Sequence, residues 1–572
     1  MAPERIVIDP ITRIEGHLRI ELETDGSRIT NAWACSTQFR GIERIVQGHD
    51  PRDAWAITQR ICGVCTGVHA IASIRAVEDA LHYPVPPAAE LIRNLVTGMG
   101  TIQDHVIHFY HLHALDWVDV VSALRADPEG TARLAASISA WPNNSATHFR
   151  AVQEKVKGSV AGGQMSIFTN GYWGHPAYRL PPEVNLLALA HYLEALEWQR
   201  DVIRLHTIFG GKNPHPNFLV GGMACAINLD NQGSINAVSL AQVEGMIRRA
   251  RRFVEEVYYP DVLAIAGFYK EYAAIGVSSP NLLAVGESGY SCSGKPAGEP
   301  AAGALLDGNY GSVVPFDHMK IAELVTSSWY SYPEGDQGAR HPWQGETNPS
   351  YTGPTPPYRQ LADAQKYTWC KAPRYAGRPM QVGPNARLMV ACAAGHQETV
   401  KLVGSALERL GLKPENLNST LGRTLCRALE TVLVARRVEK WYTELVERIR
   451  QGDTHTFNPR MWEPSSWPRS AQGVGFMEAA RGTLSHWVQI ENHKISRYEC
   501  VVPSTWNSSG RDPEGHRGPY EEALAGGGHH PLEDPKRPLE VLRTVHSFDP
   551  CQSCAVHLLD ATGQPLKEVR VR

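Results

Sequence analysis

The chain has 572 residues, 42% hydrophobic and 20% charged, which is ordinary for a globular protein but too long for one simple core. Its 56 basic and 59 acidic residues leave a formal net charge of −3, giving no reason to expect nucleic acid or an anionic membrane surface as a partner. The start, "MAPERIVIDPITRIEGH", lacks the apolar stretch of a secretory signal. No apolar run approaches the ~18 residues of a spanning helix, so export or membrane attachment would have to come from a partner.

Residues 5–33 alternate apolar and polar and read as short strands with a turn at "TDGS". Helical periodicity follows, beginning with "VHAIASIRAVEDAL" and continuing over 88–122, 186–209, 239–266 and 419–450. The spacing leaves room for a break near Gly98 and Gly100. Between 270 and 360, Gly, Pro and Ser dominate and the chain reads as loop. Residues 475–506 and 540–557 read as strands and turns. The predicted class is therefore mainly α with small β regions, a multi-helix core whose two ends meet at a buried metal site. The predicted segments are 1–60 (β-rich), 61–270 (helical core), 271–360 (loop-rich), 361–470 (helical), 471–557 (β and turn) and a tail, 558–572.

Eleven cysteines spread over this length do not form a disulfide scaffold. Seven are isolated (Cys35, Cys225, Cys292, Cys370, Cys392, Cys426, Cys500) and read as small buried hydrophobes. The other four form two CxxC pairs at opposite ends, Cys62/Cys65 in "RICGVCTGVH" and Cys551/Cys554 in "DPCQSCAVH". Four thiolates complete a soft-metal site for zinc, nickel or iron. A structural zinc site is one reading, although zinc-ribbon pairs usually lie about 15–20 residues apart. A thioredoxin-like dithiol is another, but the strand–helix–strand context is missing.

These two motifs resemble the signatures of the nickel–iron hydrogenase large subunit, RxCGxCxxxH and DPCxxCxxH. "DPITRIEGHLRIE", "FRGIERIVQGHDPRDAW", "NGYWGHPAYRLPPE", "FGGKNPHPNFLVGGM", "STLGRTLCRA", "GVGF" and "VVPSTWN" resemble the same family in the same order. The resemblance spans essentially the whole chain and is nearest to the membrane-associated respiratory uptake enzymes. It implies an oxidoreductase interconverting H₂ with protons and electrons. Cys62 and Cys551 would be terminal on nickel; Cys65 and Cys554 would bridge it to an iron carrying one carbonyl and two cyanides. Position 551 is Cys here, not the selenocysteine of one subgroup.

Hydrogen cleavage needs a hydride acceptor, which the metals supply, and a base. The resemblance makes the Cys551 thiolate the proton acceptor and Glu15 the carboxylate that passes the proton on. Arg481 would overhang the open coordination sites, oriented by Asp104 and Asp549. Ala480 departs from the family's frequent Pro before that arginine. Glu43, the Cys500 carbonyl and His557 would hold magnesium. The tail after His557 would be removed by a maturation endopeptidase once nickel is loaded.

The chain has no clustered cysteines for an electron relay beyond the four ligands. An iron–sulfur small subunit would therefore take the electrons, in a heterodimer or a dimer of heterodimers, and pass them to a membrane cytochrome b or another acceptor. Export with that subunit would place the enzyme on the periplasmic side of the cytoplasmic membrane, a cytoplasmic location being the alternative. A zinc-stabilised, non-catalytic subunit of the same fold is the competing reading; a deazaflavin-, NAD- or ferredoxin-linked hydrogenase is a third. His105, His108, His111 and His113 lie on one expected helix and read as packed histidines rather than a metal stripe. "GYSCSGKP" has Pro296 where a nucleotide loop needs Ser or Thr and reads as a loop. "GGKNPHPN" reads as a turn, near the partner subunit by resemblance.

Overall fold

Strands Glu4–Ile8, Leu18–Thr24 and Ile29–Ser36 form an antiparallel meander at the N-terminus. Its hairpin turns at the expected "TDGS", where Gly26 has φ +106° and Asp25 accepts from the Ser27 and Arg28 amides. The computed structural model describes residues 4–552 except 164, 170, 287–301, 347, 354–359, 362–364 and 529. Cys292, "GYSCSGKP", Cys554, His557 and the tail lie outside the described residues.

The first and last described segments meet. Leu18, Ile20 and Leu22 of the meander form one apolar cluster with Leu542, Val545 and Phe548. These last residues correct the expected strand: Leu539–Ser547 is a helix. Its Val541, Thr544 and Val545 favour strands locally, but Leu539, Leu542 and Val545 recur at helical spacing and are buried in that cluster or beside it. Tertiary burial outweighs a propensity difference of under ~1 kcal/mol.

The body is helical, as the periodicity implied. Its longest helix, Thr420–Arg450, starts at the Ser419 cap, whose Oγ accepts from the Gly422 amide. Helix Pro87–Ile107 packs along it without a break at Gly98 or Gly100. A Cβ at Gly98 would stand 2.6 Å from Val438 Cγ2, so this glycine sets interhelix distance rather than ending the helix. The expected run to 122 stops earlier, in a π-helical turn at His108–His113 and a 3₁₀ turn at Ala114–Asp116. The long wavelength of 239–266 is likewise helix Ala237–Phe253, a π turn and helix Tyr259–Phe268.

Near the C-terminus, Ser470–Ala479, Gly482–Glu491 and Lys494–Val501 form a second antiparallel meander. "GVGF" lies in its first strand. A Cβ on Gly473 would overlap Ala76 O and Ala80 N, and one on Gly475 would overlap Ala72 O and Ala76 N. The two glycines share one face, and helix Val68–Leu81 rests its backbone on it. The stretch expected as loop (270–360) carries short strands among its described residues, including Leu282–Ala284, Gly303–Leu305 and Ile321–Leu324. Runs of three or four residues are too short to show a period.

Candidate metal centre

Helix Val68–Leu81 fixes the first cysteine pair just before its start. Cys62 is extended (φ −133°, ψ 138°), and its Sγ accepts from the amides of Val64 (3.2 Å) and Cys65 (3.1 Å). Two N–H groups thus converge on one sulfur. From the far end of the chain, Cys551 Sγ comes within 3.4 Å of Cys62 Sγ. Cys62, Cys65 and Cys551 are all buried, with their sulfurs within 4.8 Å of one another. Of the predicted set only Cys554 falls outside the described residues.

Cys551 is held by backbone. Its amide donates to Ser504 Oγ (3.0 Å), and the next amide, of Gln552, donates to the Glu15 carbonyl (2.7 Å). Glu15 and Cys551 thereby form a one-residue parallel β-bridge, which places the predicted relay residue beside the predicted proton acceptor. The segment before Cys551 is gripped at four successive carbonyls. His108 Nε2 donates to His546 O (2.6 Å), Arg427 to Ser547 O (2.9 Å) and Phe548 O (3.4 Å), and Arg481 Nε to Asp549 O (3.0 Å). These satisfy the helix C-terminal carbonyls with cationic or imidazole donors, across an Asp549 at φ +58°.

Arg481 occupies the two-residue turn between the first two strands of the C-terminal meander. Its Nη2 donates to Asp549 Oδ1 (3.0 Å), while Asp104 Oδ2 lies 4.0 Å from Nη1. Among the described residues, Nη1 and Asp549 Oδ2 are buried with no hydrogen-bond partner. Burial pushes the Asp104 carboxyl up to about 8, with Arg481 opposing the shift and Asp549 and Cys62 adding to it. Burial works against the Arg481 charge, but Asp549, Cys551, Asp104 and Cys65 around it raise its affinity for the proton.

A second polar cluster surrounds two of the predicted magnesium residues, Glu43 and Cys500. Lys371 Nζ lies 2.8 Å from Glu499 and 3.6 Å from Glu323, all three buried. Burial, reinforced by Glu499, pushes half-buried Glu43 up to about 7; burial pushes Glu323 up to about 8 against Lys371. Buried Cys500 follows Glu499 on the same strand.

Sequence reasoning missed several contacts. Ser504 and Arg427 lie inside quoted motifs without an assigned role; Arg423 and Arg427, four apart in an otherwise apolar helical run, were a readable signal. "GGKNPHPN" is more than a turn, since its His215 Nε2 reaches the Cys62 carbonyl at 3.1 Å. His105, His108, His111 and His113 are packed as expected, pairing respectively with Glu430, His546 O, Tyr192 O and Asp116. Of the isolated cysteines, Cys35, Cys370, Cys426 and Cys500 are buried, whereas Cys225 and Cys392 are partly exposed.

Comparison with known proteins identifies the family. The family model described as nickel-dependent hydrogenase matches residues 40–557, and one described as HoxL-like matches residues 5–32. The chain is 49% identical to the uptake hydrogenase large subunit of Bradyrhizobium diazoefficiens over 100% of its own length and 98% of that protein's. It is 46% identical to the hydrogenase-1 large chain of Escherichia coli, with the same coverage. Among solved structures, the Ni-Fe-Se hydrogenase of D. vulgaris Hildenborough in the reduced state superposes with a TM-score of 0.74 at 31% identity, covering 97% of this chain and 100% of that one. The chain belongs to the nickel-dependent hydrogenase family, as one of its large subunits.

Proposed function

We propose that this hydrogenase chain interconverts H₂ with two protons and two electrons, working in the uptake direction, at a nickel–iron centre held by Cys62, Cys65, Cys551 and Cys554. The observation that carries this reading is the convergence of three buried cysteine sulfurs from opposite chain ends beside Arg481. The donor set fits the group. Sulfur is the ligand type such metals favour, and the buried Arg481 Nη1, without a hydrogen-bond partner among the described residues, can donate to a ligand in the site. When bound, the centre supplies the two-electron chemistry of H₂ that zinc lacks.

In this reading Cys62, Cys65, Cys551 and Cys554 would hold the centre, Cys62 and Cys551 as ligands to nickel alone and Cys65 and Cys554 as ligands shared with an iron that would carry one carbonyl and two cyanides. Cys551 accepts the proton and Glu15 passes it on; their shared β-bridge keeps the two adjacent. Arg481, oriented by Asp549 and Asp104, holds a fixed positive charge over the reacting side. Glu43, the Cys500 carbonyl and His557 hold magnesium. The three carboxyl groups Glu43, Glu323 and Glu499 lie near two cations, Lys371 and Arg40, and a divalent cation would offset the remaining negative charge.

Among the described residues Cys62, Cys65 and Cys551 form the only cysteine-containing metal group. Electrons therefore leave through an iron–sulfur small subunit, and from it to a membrane cytochrome b or comparable acceptor. No described helix is long and apolar enough to cross a membrane, and the proposed location on the periplasmic side of the cytoplasmic membrane depends on that partner. An endopeptidase cleaves after His557 and removes residues 558–572. A zinc-stabilised, non-catalytic subunit is not favoured, since all four cysteines are present.

Metal analysis and infrared spectroscopy of the purified heterodimer test the centre. Nickel and iron with carbonyl and cyanide bands are expected; zinc without nickel and iron would overturn it.

A further inference from the structure

A buried charge cluster lies behind the metal centre, outside the set described above. Asp116 is fully buried at the end of the 3₁₀ turn that follows the π turn. Its Oδ2 takes His546 Nδ1 at 2.6 Å and His113 Nδ1 at 3.1 Å, and its Oδ1 pairs with Arg13. Two imidazoles around a carboxylate look like a metal site, but their nitrogens are committed. Trp117 Nε1 donates to His113 Nε2 (2.9 Å), so the His113 proton is on Nδ1. His546 Nε2 faces the Thr12 carbonyl at 2.8 Å and its Nδ1 faces the carboxylate, so each nitrogen is already engaged by an oxygen. With every ring nitrogen engaged, the cluster is a hydrogen-bonded ion hub.

The hub joins two chain segments that meet at the reaction centre. One is the loop containing Thr12, Arg13 and Glu15, where Arg13 also donates to Leu112 O at 2.7 Å. The other is the stretch from His546 to Gln552, where Gln552 N–H meets the Glu15 carbonyl. Arg543 adds a third tie, its Nε donating to the Asp116 carbonyl at 2.8 Å. Each segment contains a non-glycine residue in the left-handed region, Arg13 and Asp549, both at φ +58°. Such residues persist only where their surroundings over-determine them. Burial alone would raise the Asp116 carboxyl, but Arg13 and His546 hold it well below the usual carboxylate range.

We propose that Asp116 is a positioning residue: by binding Arg13 and His546 together it sets the register of the Glu15 loop against Cys551. The proposal rests on the reading that Glu15 relays the proton, and it is tested separately from it. The variants are Asp116→Asn, Glu15→Gln and the double variant, each in the complete heterodimer with its metal content measured.

The direct readout is hydrogen exchange. In Asp116→Asn the Gln552 amide and the 9–17 segment should exchange about tenfold faster or more, as expected for losing a charge-assisted hydrogen bond, while the Val68–Leu81 amides stay unchanged. Turnover should fall about 10–100-fold, with no further loss when Asp116→Asn is added to Glu15→Gln. Unaltered exchange at Gln552, or losses that simply multiply in the double variant, would overturn the positioning role. Unaltered turnover in Glu15→Gln would instead sink the relay reading, and exchange at Gln552 would still decide the positioning role. If Asp116→Asn does not assemble, Arg13→Lys keeps the charge but loses the fork to Leu112. It should give the same local exchange effect at smaller amplitude, and unaltered exchange there also counts against the proposal.

Discussion

Glu15 and Arg481 do different work, and their substitutions should separate. Glu15→Gln removes the carboxylate but keeps the Glu15 backbone bond to Gln552. Turnover should drop about 10²–10⁴-fold, the usual worth of a placed acid–base group, with nickel and iron contents unchanged by elemental analysis. Arg481→Lys keeps a charge but cannot reproduce the paired contacts to Asp549. A loss of about 10²-fold in H₂ turnover is expected, with metal content retained. The acidic cluster gives a pH prediction. Without a metal ion, burial holds protons on Glu43 and Glu323 up to about 7 and about 8. A cation displaces those protons, so magnesium affinity should rise between about pH 6 and 9; calorimetry in buffers of different ionisation enthalpy should show proton release. At these two carboxyls the folded, chelated protein holds more protons than the unfolded chain between about pH 4.5 and 8. Their contribution to stability should therefore fall as pH rises through that window, and the difference between thermal melts of the chelated wild-type protein and of its Glu43→Gln, Glu323→Gln variant checks the sign.

At the scale of elements, the decisive contact is between helix Val68–Leu81 and the strand Ser470–Ala479. Gly473 and Gly475 bring two backbones together with no side chain between them, and that contact carries the first cysteine pair to Arg481 at the strand's end. Gly475→Ala would force the helix away. We expect about 1–3 kcal/mol of destabilisation or more, read as a lower melting temperature together with reduced nickel content. Gly100→Ala is the control. Its Cβ would lie 3.4 Å from His206 Cε1, a contact a small side-chain shift relieves, so stability and nickel content should hardly change. Both glycines of "GVGF" were visible in the sequence, but their reason was not. A glycine pair in a strand reads as a weak strand or a bulge until the helix backbone lying on it is seen.

At the scale of the whole molecule, the proposed ligand Cys551 comes from the opposite end of the sequence to Cys62 and Cys65. Cys551 enters a receiver formed by His108, Arg427, Arg481, Ser504 and Glu15, contributed by segments across the whole chain. A chain whose Cys551 docks into such a receiver can accept metal before closing. Mass spectrometry of active enzyme should find the C-terminus at His557; active protein ending at Arg572 would contradict removal of the tail.

The sequence by itself determined the chemistry-bearing cysteine motifs, the mainly helical class and the long periodic helices, because residue identity and 3.6-residue spacing are local properties. It also carried the motif series by which the family resemblance was drawn. Only the tertiary structure decided that Leu539–Ser547 is a helix, that Gly98 is a packing contact and that Asp116 ties Arg13 to His546. In each case the deciding partner lies far away in the chain: the N-terminal meander for the helix, Val438 for Gly98, and residues over 400 positions apart for the hub. Burial and charge pairing act through space, and no local pattern records them.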